Sequence, residues 1–103
     1  MNNKVAVVVV TYNRKKLLQK NIKALLAQTY KNILDILVID NASTDSTKES
    51  IQQYINNKDI IYINTGRNLG GAGGFNFGMR KAAELNYKYM WIMDDDTIPT
   101  PTA

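Results

Sequence analysis

Short apolar runs alternating with amphipathic stretches predict an α/β chain built on a mostly parallel sheet with helices on both faces. Three observations carry that expectation. Residues 5–10 (Val-Ala-Val-Val-Val-Val) are apolar without a break, as suits a strand buried on both faces. Four such runs occur, and longer stretches of helical pattern separate them. A polar cluster follows each run, at the carboxyl end of the expected strand, where ligands bind in sheets of this kind.

The elements follow in order. The first strand covers 5–10, and Thr11-Tyr12-Asn13-Arg14 ends it. A helix is expected over 15–28, because Leu17, Leu18, Ile22, Leu25 and Leu26 share a face while Lys16, Lys20 and Lys23 lie elsewhere. Those lysines read most simply as a solvated face; a basic surface resting on a membrane is the alternative. The second strand, 36–39, ends at Asp40. Ser46 and Glu49 then have capping-box spacing, so a helix should run to about residue 54. A third strand covers 60–63. The glycine-rich stretch 66–74 follows, then a helix over 75–85. The fourth strand, 89–93, runs into Asp94-Asp95-Asp96; its Tyr89 and Trp91 read as core.

Composition narrows the function. A length of 103 residues suggests one domain, 1–103, and 45% hydrophobic residues suit a packed core. The chain has no cysteine and no histidine. Disulfides and thiolate metal sites are thereby excluded, and base chemistry within the chain falls to Asp, Glu, Tyr or Lys. The net charge is +4, and three of the nine acidic residues sit in one triplet. That balance suits an anionic ligand but not nucleic acid, since no Arg/Lys run with interleaved aromatics occurs. The first apolar run reads as a strand rather than a secretory leader, and no apolar stretch approaches the ~20 residues of a bilayer span. The expected location is the cytoplasm, with peripheral contact at the inner face of the membrane left open.

The aspartate triplet is the sharpest chemical signal. Unit charges a few Å apart repel by roughly 1 kcal/mol even at the dielectric constant of water, and a cation offsets that cost. Clustered hard oxygens suit Mg²⁺ or Mn²⁺, which commonly keep waters and bind substrate phosphates. The plainer reading is a solvated acidic turn. Two nucleotide folds are disfavoured by their motifs. The turn after the first strand contains no glycine, against the dinucleotide fingerprint, and no Gly-Lys-Ser/Thr occurs for a P-loop. A receiver-like signalling domain would carry its acidic pair near the first strand rather than after the fourth.

Taken in order, Val8-Val9-Val10-Thr11-Tyr12-Asn13-Arg14, Val38-Ile39-Asp40-Asn41-Ala42-Ser43-Thr44-Asp45, Arg67-Asn68-Leu69-Gly70-Gly71-Ala72-Gly73-Gly74 and Asp94-Asp95-Asp96 resemble a family 2 glycosyltransferase of the GT-A fold. The glycine-rich version followed by a full aspartate triplet is similar to the galactofuranosyltransferase and rhamnosyltransferase-like branch. The resemblance implies a metal-dependent inverting transfer from a UDP- or dTDP-linked sugar donor to a glycan or lipid-linked acceptor, in polysaccharide biosynthesis. It implies that Thr11, Tyr12, Asn13 and Arg14 hold base and ribose, and that Asp40 with Asn41 accepts from the pyrimidine edge or sugar. A helix-capping turn is the alternative for Asp40. Arg67 and Asn68 would face the diphosphate, Arg67 because its fork binds phosphate bidentately; a solvated loop arginine is the alternative. Gly70, Gly71 and Gly73 would let the backbone approach the ligand. In an extended backbone Asp94 and Asp96 share a face, which makes Asp96 the expected main ligand of Mn²⁺ or Mg²⁺ in this Asp-x-Asp motif, with Asp94 second. Asp95 would serve the nucleotide or the loop backbone.

Proteins of this family run much longer, and their later part supplies the acceptor site and the carboxylate base. The chain is therefore expected to be the donor-binding part of an enzyme, without the base. A nucleotide-binding fragment lacking transfer activity is the alternative. A sheet that ends at its fourth strand leaves an open edge, so self-association through that edge is expected. Sedimentation at high concentration checks it; a monodisperse monomer would refute it.

Overall fold

The computed structural model describes residues 2–28 and 31–99. Four strands, β1 (Asn2–Thr11), β2 (Leu34–Asp40), β3 (Ile60–Asn64) and β4 (Tyr87–Asp94), form one parallel sheet in the order β3-β2-β1-β4. The helices are α1 (Lys15–Leu26), α2 (Thr47–Ser50), α3 (Gln52–Asn56) and α4 (Gly70–Glu84), and a single 3-10 turn covers Lys31–Ile33. Register aligns the strand exits. Thr11 pairs with Asp40, Asp40 with Asn64, and Val10 with Asp94. Four polar residues from four strands thus reach one end of the sheet together.

The α/β expectation holds, and the reason is visible in β1. Val7 and Val9 point to one face, where they meet Leu18, Ile22 and Leu25 of α1, with Ile51 and Tyr54 beyond. Ala6, Val8 and Val10 point to the other, where they meet Ala82 of α4, with Leu37 and Ile39 of β2 alongside. Both clusters are almost wholly withdrawn from water, and each full-sized aliphatic side chain in them contributes about 1.5–3 kcal/mol.

The approach of α4 to the sheet is unusually close. A Cβ placed on Gly78 would lie 2.5 Å from Val8 Cγ1 and 2.9 Å from Ile39 Cγ1; one on Gly74 would lie 2.7 Å from Val10 Cγ1. Gly74, Gly78 and Ala82 recur every fourth residue and are the buried stripe of the helix. Here the sequence expectation needs correction, since the glycine-rich stretch is not a loop as far as residue 74. The helix begins at Gly70, so Gly71, Gly73 and Gly74 lie in its first turns. Glycine is a poor helix former by itself, but contact with the sheet overrides the propensity.

Three smaller departures have local causes. The helix expected from residue 46 to about 54 is broken at Ile51 into α2 and α3. The capping box does not form, because Ser46 adopts a left-handed conformation (φ 65) and its side chain makes no capping bond. Asp45 acts instead, accepting from the Thr47 hydroxyl and from Lys15 N across the gap to α1. Tyr89, expected in the core, is 61% exposed on edge strand β4, whereas Trp91 packs against the α1-side core.

The glycines of α4 make opposite predictions. Gly78→Ala is expected to destabilise the chain by about 1–3 kcal/mol, since neither Val8 nor the β2 side can retreat. Gly71→Ala meets nothing within 4 Å and is expected to stabilise it by about 0.4–1 kcal/mol. Urea unfolding of the two variants checks both signs.

Candidate functional site

A cavity of about 300 Å³ opens where β1, β2 and β4 end and α4 begins. It gathers Thr11 at the end of β1 with Tyr12 and Arg14 beyond it, Asn41 after β2, Asn68 before α4 with Gly70 and Gly71 in its first turn, and Asp94 at the end of β4 with Asp95 beyond it. Val10 and Phe75 supply its apolar floor. Nine of the residues expected from sequence therefore meet in one place. Phase of the helix explains why Gly73 is not among them: it turns toward Leu69, whose Cβ would lie 2.9 Å from an added Cβ.

Asn41 builds the rim. It is buried, its Nδ2 donates to Gly70 O at 3.0 Å, and its Oδ1 accepts from Thr65 Oγ1 at 3.2 Å and from Leu69 N at 3.4 Å. Asn68 Oδ1 accepts from Gly70 N at 2.8 Å. These bonds hold Gly70 at φ +76, a conformation that suits glycine, and so fix the start of α4. Arg67 is exposed and lies off the cavity; its carbonyl accepts from Thr65 Oγ1 at 2.6 Å. The chain turns at Gly66 (φ 87), and the cation on the cavity wall is Arg14. Asn13 also lies outside it. Its Oδ1 accepts from Thr44 N at 2.7 Å and its N–H donates to Ser43 Oγ at 2.9 Å, which binds the first loop to the second.

The three aspartates have separate fates. Extended backbone stops at Asp94, and Thr97 N donates to Asp94 O at 3.1 Å to close a turn over residues 94–97. Asp94 and Asp96 are exposed, Asp94 on the cavity wall and Asp96 beyond it. Asp95 turns inward and is only 3% exposed. It accepts from Thr11 Oγ1 at 2.9 Å and pairs with Arg14 Nη1 at 3.3 Å. Burial pushes its carboxyl above the ordinary range; the Thr11 bond and the Arg14 charge oppose that, and Asp96 adds to it. Expected at the nucleotide or the loop backbone, Asp95 lies on the cavity lining and is bonded to the side chains of Thr11 and Arg14.

Asp40 lies one strand over, beside a second hollow of about 330 Å³ shared with Thr44, Lys48 and Tyr62. Its Oδ1 accepts from Ser43 N at 2.9 Å, so the turn-capping alternative is present in the fold. Its Oδ2 accepts from Tyr62 OH at 2.6 Å. Burial, followed by the bond to Asp40, pushes the Tyr62 phenol up to about 12. A carboxylate has lone pairs for about four bonds, so Asp40 retains acceptor capacity.

Tyr62 and Phe75 were not identified from the sequence as site residues, and neither was Asn21. Asn21 is fully buried on the apolar face of α1 between Leu18 and Leu25. Its only sequence signal is a polar residue interrupting an apolar stripe.

The donor chemistry fits a hard divalent cation that completes its shell with water and phosphate. Asp94 and Asp96 offer exposed carboxylates at one turn, and Mg²⁺ is commonly held by one or two carboxylates in this way. Among the described residues, no cluster of three or more His, Cys, Asp or Glu side chains is assembled for an ion.

Comparison with known proteins identifies the family and the fold. A family model described as glycosyl transferase family 2 matches residues 6–103. The galactofuranosyltransferase GlfT1 of Mycolicibacterium smegmatis is 36% identical over 99 residues, covering 95% of this chain and 32% of that protein. The chain thus spans about a third of the curated relatives that it matches. A crystal structure of Staphylococcus aureus TarS in complex with UDP-GlcNAc superposes with a TM-score of 0.79 at 24% identity, over 95% of this chain and 28% of that one. The mannosyltransferase PcManGT of Pyrobaculum calidifontis, in complex with GDP-Man and Mn²⁺, gives 0.79 at 23% identity over 98% and 30%. These two likenesses show the GT-A fold.

The Tyr62–Asp40 pair has a pH signature. The folded chain holds the phenol proton more tightly than the unfolded chain, whose value is near 10.0. Its contribution to stability is therefore complete below pH 10 and lost as pH rises through about 12. Phenolate absorbance of the unmodified chain minus that of Tyr62→Phe is expected to show the late titration; a midpoint near 10 would exclude the bond.

Proposed function

The chain belongs to glycosyl transferase family 2, and from that premise we propose that it is the donor-binding part of an inverting glycosyltransferase. The donor is a UDP- or dTDP-linked sugar, and the acceptor a glycan or a lipid-linked glycan of a polysaccharide pathway. One observation carries the reading: a single cavity brings together the amino end of α4, the half-exposed Arg14 and the carboxylate of Asp94.

In this reading the base and ribose lie along Thr11 and Tyr12, toward Asp40. The amino end of α4 faces the diphosphate with the amide of Gly71, the Gly70 N–H being taken by Asn68, as helix amino ends suit anions. Arg14 keeps N–H donors beyond the one used on Asp95 and adds charge to the same wall. Asp94 and Asp96 would hold Mn²⁺ or Mg²⁺, which when bound neutralises charge growing on the departing diphosphate. The remaining side chains of the cavity bind and orient the donor. The base that takes the acceptor proton is assigned to no residue of this chain, so a fragment that binds donor without transferring it remains within the proposal. Cytoplasmic location belongs to the same proposal, with the exposed Lys16, Lys20 and Lys23 of α1 facing an anionic membrane.

The test is a thermal-shift series with UDP, dTDP, GDP and NAD, each with and without Mn²⁺, on the chain and on Asp96→Ala. A ligand at 100 times its dissociation constant adds about 2.7 kcal/mol. Stabilisation by UDP or dTDP that needs both Mn²⁺ and Asp96 is the expected result. A metal-independent response to NAD would overturn the reading.

A further inference from the structure

Asn21 places a primary amide in the middle of an apolar helix face. It is 0% exposed, and its Oδ1 has no hydrogen-bond partner among the described residues. A buried acceptor without a partner destabilises a fold, and a leucine of similar size would remove it, leaving the part-buried Thr97 O to find water. The other end of the amide is fully used. Nδ2 donates to Thr97 O at 2.7 Å and lies 3.2 Å from Met93 Sδ. Met93 is the last inward-facing residue of β4, and Thr97 closes the turn that follows. One amide therefore grips the chain on both sides of Asp94, Asp95 and Asp96.

We propose that Asn21 is a positioning residue for the Asp94–Asp96 turn, holding it from beneath so that Asp94 and Asp96 present their carboxylates together to a divalent cation. The turn is pinned at two points, and both lead to α1. Asp95 is tied to Arg14, the residue preceding the helix, and Thr97 is tied to Asn21, two turns further on. The rigid helix thus sets the separation of the two anchors. Asn21 is buried and does not line the cavity, so it acts through the turn alone. The role toward a cation rests on the donor-site reading above; the hold on the turn does not.

The experiment uses Asn21→Leu, with Asn21→Ser as a second variant in case leucine perturbs packing. Hydrogen exchange over residues 93–98 reads the turn directly. Exchange at the Thr97 amide is expected to rise about tenfold or more while the melting temperature stays the same or increases. Calorimetric titration with UDP, with and without Mn²⁺, reads the site. Metal-free UDP affinity is expected to stay within about twofold, and the gain from Mn²⁺ to fall about tenfold, the usual scale for residues that orient metal ligands. Unchanged exchange over the turn in both variants would overturn the proposal, as would equal loss of UDP binding with and without metal. If the unmodified chain shows no Mn²⁺-dependent UDP binding, the donor-site reading fails and the role toward a cation fails with it. The exchange result alone then decides whether Asn21 holds the turn.

Discussion

The contact between α4 and the sheet governs the rest of the molecule. Gly74 and Gly78 bring the helix axis so near β1 and β2 that valine methyls occupy the space where their Cβ atoms would stand. Two results follow. The even-numbered side chains of β1 meet Gly74, Gly78 and Ala82 of the helix, and its Phe75 and Phe77 pack against the same cluster. The amino end of α4 is also drawn down to the level of the strand exits instead of riding above them. The depth of the cavity is thus set by a packing distance, and Asn41 completes it by fixing the approach of the chain at Gly70.

The carboxylates divide as strand alternation suggests, with Asp95 apart from its neighbours, but the cause is a turn. Extended backbone stops at Asp94, and Asp95 is directed inward, where Thr11 and Arg14 meet it. An inward acid keeps the loops after β1 and β4 together, and the two on either side of it stay exposed. The arrangement also lowers the repulsion within the triplet, because Arg14 compensates its middle member.

Much of this was legible in the sequence, and the limits have physical causes. The strands could be read because burial on two faces demands unbroken apolar runs, as in Val7 to Val10. Their exits could be read because Asp40 and Asp94 end those runs abruptly. The start of α4 could not, since propensity assigns glycine to loops and only the proximity of Val8 and Ile39 reverses that. The failed capping box at Ser46 is similar: the spacing was right, but Ser46 adopts a left-handed conformation and its side chain caps nothing. For the site, the order of motifs identified the loops that converge. It did not tell which arginine turns inward, because Arg14 and Arg67 both sit in polar loops after strands and the partner that draws Arg14 in, Asp95, lies 81 residues away. Asn21 acts through a contact 76 residues distant, beyond the reach of any local pattern.

The pairing of the first strand with the last has a consequence in time. β1 is an inner strand of the sheet, yet one of its two neighbours is β4, the last strand among the described residues, and the Thr11–Asp95 bond joins residues 84 apart. Contacts of such long range close late, because the entropy of a large loop must be overcome before they form. During synthesis the amino-terminal strand emerges with one flank bare and waits for β4 to be made. The cavity comes into being only when that strand docks, so a partly made chain exposes apolar surface but has no site with which to sequester a ligand.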